Sequence, residues 1–401
     1  MFDYIIVGAG SAGCVLANRL TEDPAVNVLL IEAGKTDKKR EIHIPAAFSR
    51  LFKTEYDWDY TTVAQAAANN RKLYLPRGKV LGGSSSINAM IYIRGHQRDY
   101  DHWASLGNKG WGYADMLPYF KKSEDQVRGE DEYHGTGGLQ SVVDPQEPHS
   151  ISSAWAEAAG QAGYQINTDF NGAMQEGFGL YQLIQKNGKR VSAAKAFLKP
   201  ALSRPNLKVM TEVEVLALEM EGKRITGVQA RLDTHIQVYG ARQAVIVSAG
   251  AYNSPQLLLR SGIGPGADLQ AIGRKVRHDL SGVGQHLQDH LIVPMVFDNK
   301  DKETLEQAET AASLTHYLVW GEGPLSSNVA EAGGFVRTLP ELEAPDIQFH
   351  FAPGFFMRHG FRLPKKGYGF SFGPTLLQPE SAGAVSLNPN DIEGDPLIDH
   401  R

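Results

Sequence analysis

Short apolar runs flank a segment with a helical pattern at the start of the chain. Residues 4–7 (Tyr-Ile-Ile-Val) form the first run, residues 14–20 carry the helical pattern, and residues 26–31 form a second run that ends at Glu32. Short runs without polar positions are typical of parallel strands that are covered on both faces. The pattern therefore predicts a strand–helix–strand unit in an α/β sheet.

A dense series of strand patterns follows near the middle of the chain, at residues 207–210, 213–218, 225–230, 236–239 and 244–247. These runs predict a β-meander that returns to a parallel strand. Ser254 and Pro255 are a preferred N-cap and N1 pair, and they predict a helix that ends at Gly262. Gly250, like Gly8, then lies at the carboxyl end of a strand, where α/β sheets bind ligands.

The other segments carry weaker patterns. Helices are predicted at 97–126 and 152–162, and irregular chain at 35–76 and in the glycine-rich stretch 167–190. Beyond residue 291 the character changes, and strands with long connections are predicted at 293–297, 346–351 and 369–372. We expect this part to form a second domain that rests on the first.

A glycine motif directly follows the first predicted strand. Residues 8–13 read Gly-Ala-Gly-Ser-Ala-Gly, the GxGxxG pattern. In this pattern Gly8 makes the tight turn, Gly10 lets the backbone approach a pyrophosphate, and Gly13 lets the helix pack closely on the strand. The N-terminus of the helix that follows attracts the anion. The motif predicts a dinucleotide-binding turn.

Glu32 completes the dinucleotide pattern. It stands about 20 residues beyond the glycines, where a carboxylate binds the ribose 2′-hydroxyl. An acid at this position would repel a 2′-phosphate, which disfavours NADP. Strand, glycines, helix, strand and acid fall in the expected order, but they do not separate FAD from NAD.

Residues 77–95 (RGKVLGGSSSINAMIYIRG) form a second glycine-rich segment of a different kind. Gly78, Gly82 and Gly83 surround small and hydroxyl side chains, and Asn88 follows. Such a segment can press backbone N–H groups against a flat or anionic group. On composition alone, a surface loop rich in Gly and Ser explains the segment equally well.

Composition narrows the class of protein. The chain has 401 residues, of which 42% are hydrophobic and 21% charged, and its net charge of −5 implies no nucleic-acid partner. Cys14 is the single cysteine, so an intrachain disulfide and a cysteine metal cluster are excluded, and a small buried residue is expected there. We find no transmembrane run and no signal peptide, and expect a cytoplasmic protein, with peripheral contact at the inner face of the membrane left open.

Four segments together resemble the glucose–methanol–choline (GMC) oxidoreductases, a family that binds FAD. They are residues 8–13 with Glu32, residues 77–95, residues 250–264 (GAYNSPQLLLRSGIG) and residues 283–290 (VGQHLQDH). The second and third segments match the two signatures of the family. Within it, the chain is most similar to the branch of choline-dehydrogenase-like and aliphatic alcohol dehydrogenases.

The resemblance implies an α/β fold with two discontinuous domains. One is an FAD-binding, Rossmann-like domain with a β-meander, expected at residues 1–155 and 195–290. The other is an α+β substrate-binding domain with an antiparallel sheet, expected at residues 156–194 and 291–401 and incomplete at the C-terminus.

The resemblance also implies a flavin along residues 82–91. Asn88 and Ile91 sit where the family contacts the isoalloxazine and its side chain, and Val215 sits where a valine backbone meets the adenine. Some members bond a histidine covalently to the flavin, and the matching residue here is Ile87, so non-covalent FAD is expected. No metal is expected, and the predicted cofactor-binding residues are Gly8, Gly10, Ser11, Ala12, Gly13, Glu32, Ala33, Arg77, Gly78, Leu81, Gly82, Gly83, Ser84, Asn88, Ala89, Met90, Ile91, Val215, Ala249 and Gly250.

The catalytic base is not identified by the resemblance. The family's His-containing motif, its second His or Asn and its last flavin-contacting segment do not occur in these residues, so we expect the base to lie beyond residue 401. Of the 13 histidines, His290 is a minor candidate, and His43, His96 and His134 are expected at the surface or in loops.

The implied activity is oxidation of a primary alcohol, choline-like or aliphatic, to the aldehyde. A histidine would take the hydroxyl proton while a hydride passes to flavin N5. The implied partners are the small-molecule alcohol and an electron acceptor, quinone-type or oxygen. Three alternatives stay open: lyase or decarboxylase chemistry on FAD, an inactive fragment that only binds FAD, and an NAD dehydrogenase.

Overall fold

The computed structural model describes residues 1–305, 310–361 and 367–401. Its strands are β1 (Phe2–Val7), β2 (Val28–Ile31), β3 (Tyr60–Thr61), β4 (Tyr74–Leu75), β5 (Glu124–Gln126), β6 (Gln140–Val142), β7 (Gly177–Leu180), β8 (Gln185–Lys186), β9 (Lys189–Arg190), β10 (Leu207–Met210), β11 (Val213–Glu221), β12 (Arg224–Leu232), β13 (His235–Val247), β14 (Ile263–Gly264), β15 (His278–Asp279), β16 (Gln285–Leu287), β17 (Leu291–Ile292), β18 (Met295–Asp298), β19 (Ala332–Val336), β20 (Ile347–Ala352), β21 (Gly369–Leu376), β22 (Gly383–Ser386) and β23 (Leu397–Asp399).

Helices are fewer and most of them are short. They are α1 (Ser11–Leu20), α2 (Arg40–His43), α3 (Gln97–Ser105), α4 (Tyr113–Ser123), α5 (Ser150–Gln161), α6 (Lys199–Ala201), α7 (Gly250–Arg260), α8 (Gly266–Ala271) and α9 (Ala311–Trp320). A π-helical turn spans Ala194–Leu198, and 3-10 turns span Pro45–Leu51, Ala66–Ala68, Gly83–Ser86, Pro324–Ser326 and Arg358–Gly360. Within the described ranges, we find no helix with the length and apolar character needed to cross a bilayer.

The first sheet has the predicted Rossmann-like order with a meander attached. Its strands run β10-β2-β1-β13-β12-β11, parallel from β10 to β13 and antiparallel from β13 to β11. Alternate residues of β1 and β2 enter opposite cores: Ile6 and Leu30 pack with α1, whereas Ile5 and Leu29 pack with the meander. Because both faces are covered there, residues 5–7 of β1 and all four residues of β2 are apolar.

The meander contains one strand fewer than the sequence predicts. The separate strands predicted at 236–239 and 244–247 are parts of one continuous strand, β13. It pairs antiparallel with β12 as far as Gly240 and parallel with β1 from Ala241 onward. The exposed Arg242 and Gln243 lie between the two predicted runs, so they interrupt the apolar pattern without ending the strand.

The helix after β13 begins earlier than the sequence predicts. Ser254 and Pro255 do not start it; α7 begins at Gly250 and Pro255 lies inside it. Gly250 has a φ of +85°, which turns the chain from strand to helix within three residues. The predicted end is confirmed, since the Gly262 N–H donates to the Leu259 carbonyl and Gly262 has a φ of +81°.

The second sheet is antiparallel, as predicted, with the order β17-β21-β20-β19-β7 and β18 also paired to β21. Helix α5 covers one face, where the Trp155 ring stacks on Phe351 with centroids 5.1 Å apart. One strand of this sheet, β7, lies within residues 167–190, which were predicted to be irregular. Gly179 explains the error: a Cβ there would lie 1.9 Å from the Asn167 carbonyl oxygen, so glycine permits a close backbone approach inside a strand.

A buried polar network fixes the end of the second glycine-rich segment. The Arg94 guanidinium donates to Glu124 at 2.8 Å, and His134 lies 3.1 Å from Glu124 and 2.9 Å from Asp169. Burial alone would lower the pKa of His134, but its hydrogen bonds to Asp169 and Glu124 and their charges raise it to about 9. His134 was predicted at the surface or in a loop; it lies in a loop, but is only 3% exposed.

We predict that His134→Gln destabilises the protein in a pH-dependent manner. Because the pKa of His134 is raised in the folded protein, the charged imidazole contributes its full stabilisation when the pH is below the pKa of the unfolded chain. This contribution disappears as the pH rises through about 9. The loss in unfolding free energy should be larger at about pH 6 than at about pH 10, by roughly 2–3 kcal/mol. Urea unfolding at both values measures it, with the exposed His102→Gln on α3 as control. Equal losses at the two pH values would contradict a charged His134.

Candidate cofactor site

The two glycine-rich segments lie against each other and border one cavity. The Gly82 N–H donates to the Ala9 carbonyl at 2.7 Å. A Cβ on Gly83 would lie 2.8 Å from the Cα of Gly10, so the two backbones are in direct contact. The cavity beside them measures about 580 Å³ and lies at the carboxyl ends of β1, β2 and β13. This is the place where α/β sheets bind nucleotides.

The glycines of the first loop have the roles that their spacing predicts. Gly8 has a φ of +97°, and a Cβ on Gly13 would lie 2.0 Å from the Gly8 carbonyl oxygen, so the turn and the helix packing both exclude side chains. Gly10 differs, because a Cβ there would meet only the Ser248 carbonyl oxygen, at 4.0 Å, and would otherwise project into open space. Helix α1 begins at Ser11 without a side-chain cap, so its N-terminus is available to an anion.

Glu32 lies at the floor of the cavity and is 5% exposed. Its two carboxylate oxygens accept hydrogen bonds from the backbone N–H groups of Ala9 and Gly34, each at 2.9 Å. Burial raises the pKa of Glu32 to about 7, although these two hydrogen bonds oppose the shift. The carboxylate therefore both braces the glycine turn and presents acceptor positions to the cavity.

The second loop turns sharply at Gly82 and Gly83, whose φ angles are +91° and +55°. A Cβ on Gly78 would lie 2.2 Å from the Gly83 carbonyl oxygen, so the strand leading into the turn also approaches it closely. Arg77 lies over the Tyr252 ring and donates to its hydroxyl at 3.0 Å, which ties this loop to α7. The second glycine-rich loop is therefore an ordered part of the cavity wall and not a surface loop without contacts.

The predicted site residues divide into two groups. Those that line the cavity are Gly8, Gly10, Ser11, Ala12, Glu32, Ala33, Arg77, Gly78, Gly83, Ser84, Val215, Ala249 and Gly250. Those that do not line it are Gly13, Leu81, Gly82, Asn88, Ala89, Met90 and Ile91. In the second group Gly13 supports the loop from behind, while residues 88–91 continue from the loop toward the second sheet, where Ile91 packs with Tyr181 and Phe335.

Several lining residues were not predicted. Trp58, Glu214, Tyr252, Asn253 and Arg260 also border the cavity. Tyr252 and Asn253 fall within the 250–264 signature and could have been found from it. Trp58 could not, because it reaches the cavity from the excursion at 35–76, where its ring stacks on Tyr60 with centroids 5.7 Å apart.

Two residues that bear on covalent chemistry are buried away from the cavity. Ile87 is 2% exposed and packs with Ile42, Phe48 and Val80. Cys14 is fully buried, and its thiol donates to the Ala9 carbonyl at 3.2 Å. Burial raises the pKa of Cys14 to about 12, so the thiol is held in its unreactive form.

Among the described residues, no histidine lines the cavity. His290 is exposed, His43 lies 2.7 Å from the Asp37 carbonyl oxygen, and His96 caps α3 by accepting from the Arg98 N–H. His400 contacts a lining residue, since its Nε2 lies 3.4 Å from the Tyr252 hydroxyl. These positions identify no base beside the glycine-rich loops.

Comparison with known proteins gives consistent matches. A family model described as GMC oxidoreductase matches residues 2–292. An alcohol dehydrogenase [acceptor] of Pseudomonas putida is 42% identical over 100% of this chain and 74% of its own length. Human mitochondrial choline dehydrogenase is 43% identical over 99% of this chain and 69% of its own length. A solved structure of Aspergillus oryzae formate oxidase, studied for modification of its FAD, superimposes with a TM-score of 0.91 at 28% identity, covering 99% of this chain and 76% of that one.

The cavity suits the dinucleotide that the resemblance implies. Gly10 leaves open space where a pyrophosphate must approach, an uncapped helix N-terminus faces that space, and a buried carboxylate lies at the end of β2. These are the three features by which a Rossmann-like turn holds a dinucleotide.

We predict that Gly10→Val abolishes FAD binding but not folding. The φ of Gly10 is −77°, which valine tolerates, and its side chain would fill the space beside the loop. Gly13→Val is the matched contrast, since its Cβ would collide with the Gly8 carbonyl oxygen and should prevent folding. Circular dichroism and FAD content of the purified variants separate the two outcomes. A folded Gly10→Val protein with full FAD content would show that the pyrophosphate lies elsewhere.

Proposed function

Because the chain belongs to the GMC oxidoreductase family, we propose that it oxidises a primary alcohol, choline-like or aliphatic, to the aldehyde. FAD is the cofactor of this oxidoreductase. The observation that carries the proposal is the single cavity formed by the two glycine-rich loops, together with the high identity to an alcohol dehydrogenase and a choline dehydrogenase. The electrons then pass to an acceptor, either a quinone-type molecule or oxygen.

In this proposal the cavity holds the nucleotide end of FAD, and the flavin end extends beyond it along the second loop. The backbone at Gly8–Gly13 and the N-terminus of α1 bind the pyrophosphate, because unpaired N–H groups and the helix dipole favour negative charge there. Glu32 accepts from the ribose hydroxyls, and Val215 on β11 contacts the adenine. Residues 82–91 carry the flavin end, with Asn88 and Ile91 beside the isoalloxazine.

The domain division belongs to the same proposal. The FAD-binding domain comprises residues 1–155 and 195–290, which include the first sheet and both glycine-rich loops. The substrate-binding domain comprises residues 156–194 and 291–401, and its positions 306–309 and 362–366 lie outside the described residues. The second sheet is in contact with the flavin loop through Ile91, which would place the alcohol between the two.

When bound, FAD supplies the acceptor for the hydride of the alcohol carbon. The chain's own task is to position the reactants, exclude water and receive the hydroxyl proton on a base within hydrogen-bond reach. None of the described histidines is assigned this role. Decarboxylation through a cysteine is disfavoured, because Cys14 is buried and hydrogen-bonded behind the nucleotide turn.

We propose that the flavin is held without a covalent bond. Ile87 occupies the position of the family's flavin-linked histidine, and its aliphatic side chain has no nucleophilic atom. Acid precipitation of the yellow protein should therefore leave the flavin in the supernatant. Colour that stays with the pellet would mean that another residue forms the bond.

We predict that Glu32 makes FAD binding pH-dependent. The ionised carboxylate accepts charge-assisted hydrogen bonds from the ribose, so affinity should rise as the pH increases through about 7. Glu32→Gln removes the charge and keeps a similar shape, and should weaken binding roughly tenfold at about pH 8 and less at about pH 6. Flavin fluorescence titrations measure both effects. A variant with the pH profile of the wild type would exclude Glu32 as the ribose acceptor.

The decisive test of the activity is anaerobic mixing of the purified flavoprotein with choline and with primary aliphatic alcohols. The product of the whole reading frame should lose its flavin colour and form aldehyde with at least one of them. Residues 1–401 alone should bind FAD but give no turnover, since none of the described histidines is assigned the role of the base. Turnover by residues 1–401 that His290→Ala abolishes would identify His290 as the base. Absence of bleaching with every alcohol would overturn the proposed activity.

A further inference from the structure

Arg190 is buried directly behind the flavin loop. It ends β9, is 1% exposed, and reaches two segments with its guanidinium. Nε donates to the Ile42 carbonyl at 2.8 Å, and Nη1 donates to the Ser85 carbonyl at 3.1 Å and to Oδ1 of Asn88 at 2.8 Å. The guanidinium thus joins the second loop to the segment at Ile42.

The charge of Arg190 has no counter-ion within the described part of the chain. Its three acceptors are two carbonyl oxygens and an amide oxygen, and its buried Nη2 has no hydrogen-bond partner. Burial lowers the pKa of Arg190 to about 9, which still leaves it a cation at neutral pH. Buried cations are normally paired, because an unpaired charge in a low-dielectric interior is costly. An uncompensated cation at this position favours negative charge nearby.

Arg190 also fixes the orientation of the Asn88 amide. Oδ1 of Asn88 receives two donors, Nη1 of Arg190 at 2.8 Å and the Met90 backbone N–H at 3.1 Å. Because an amide nitrogen cannot accept from these groups, the atom facing them must be the oxygen. The Nδ2 group consequently points away from Arg190. The side chain of Asn88 is exposed, and in the described structure its Nδ2 donates to no protein group.

We propose that Arg190 is a positioning residue that directs the Asn88 Nδ2 donor at the flavin and makes the bound FAD easier to reduce. This inference rests on the proposed placement of FAD along residues 82–91. Transfer of a hydride from the alcohol moves two electrons and one proton, and adds one negative charge to a neutral ring system. A fixed cation and an oriented amide donor both stabilise that added charge more than the oxidised ring.

The test compares the midpoint potential of bound FAD and the FAD dissociation constant in the wild type and in three variants. Arg190→Met removes the charge and the bond to Asn88. Arg190→Lys keeps the positive charge but loses the planar guanidinium, whose N–H groups bond to several acceptors at once. Asn88→Asp replaces an exposed side chain by one of the same shape, pairs Arg190 with a carboxylate and removes the donor. Arg204→Met is the control, since Arg204 donates to the Asn18 carbonyl and to Thr21, away from the loop.

We expect Arg190→Met and Asn88→Asp to reduce about tenfold the ratio by which the protein stabilises reduced over oxidised FAD. For a two-electron couple this corresponds to a midpoint potential about 30 mV more negative. Arg190→Lys should recover part of that shift, and Arg204→Met should match the wild type. If Arg190→Met does not fold, Arg190→Lys decides the matter: a partial negative shift supports the inference, and an unshifted potential contradicts it.

The inference would be overturned if Arg190→Met and Asn88→Asp both kept the midpoint potential of the wild type while Arg190→Met unfolded at a lower temperature. Arg190 would then only support the loop. That result would leave the proposed function intact. A wild-type protein that binds no FAD would instead overturn the placement of the cofactor and the inference with it.

Discussion

The structure depends on a backbone-to-backbone contact between two glycine-rich loops. The Gly82 N–H reaches the Ala9 carbonyl at 2.7 Å, and Gly83 approaches Gly10 so closely that a Cβ would lie 2.8 Å from its Cα. The contact extends to the end of β2, where a Cβ on Gly34 would lie 2.0 Å from the Lys79 carbonyl oxygen. Three segments distant in sequence therefore meet without side chains between them. The cavity exists because this contact sets the distance between its walls.

Two buried ionisable side chains reinforce that contact, Glu32 at the floor of the cavity and Arg190 beside the second loop. Glu32 accepts from the Ala9 and Gly34 amides and so braces the first loop. Arg190 stabilises the second loop by donating hydrogen bonds to the Ser85 carbonyl and to Oδ1 of Asn88. Each charged group hydrogen-bonds to backbone or amide groups rather than to an opposite charge. Among the described residues neither charge is paired with an opposite charge, so each can act electrostatically on a ligand nearby.

The sequence predicted the elements of the first sheet better than those of the second. Residues 207–210 form β10 as predicted, and β1 and β2 follow the predicted apolar runs within two residues. The errors fall where glycine or polar residues occur inside an element. The two glycines of β7 permit close backbone approach, and the exposed Arg242 and Gln243 lie within the continuous β13. The sequence predicted irregular chain at the first place and two separate strands at the second, but pairing with neighbouring strands determined the structure.

The sequence by itself determined the chemistry of the nucleotide turn. The spacing of Gly8, Gly10 and Gly13 and the distance to Glu32 reflect local geometry that any strand–turn–helix unit must satisfy, so they could be interpreted without the fold. Only the tertiary structure decided that Trp58 borders the cavity and that Arg190 bonds to Asn88 without a counter-ion among the described residues. Neither residue belongs to a local pattern. Their positions result from packing between segments that are distant in sequence. The burial and the hydrogen-bond partners of a residue depend on which surfaces meet in the fold, and the spacing of residues along the chain does not encode this.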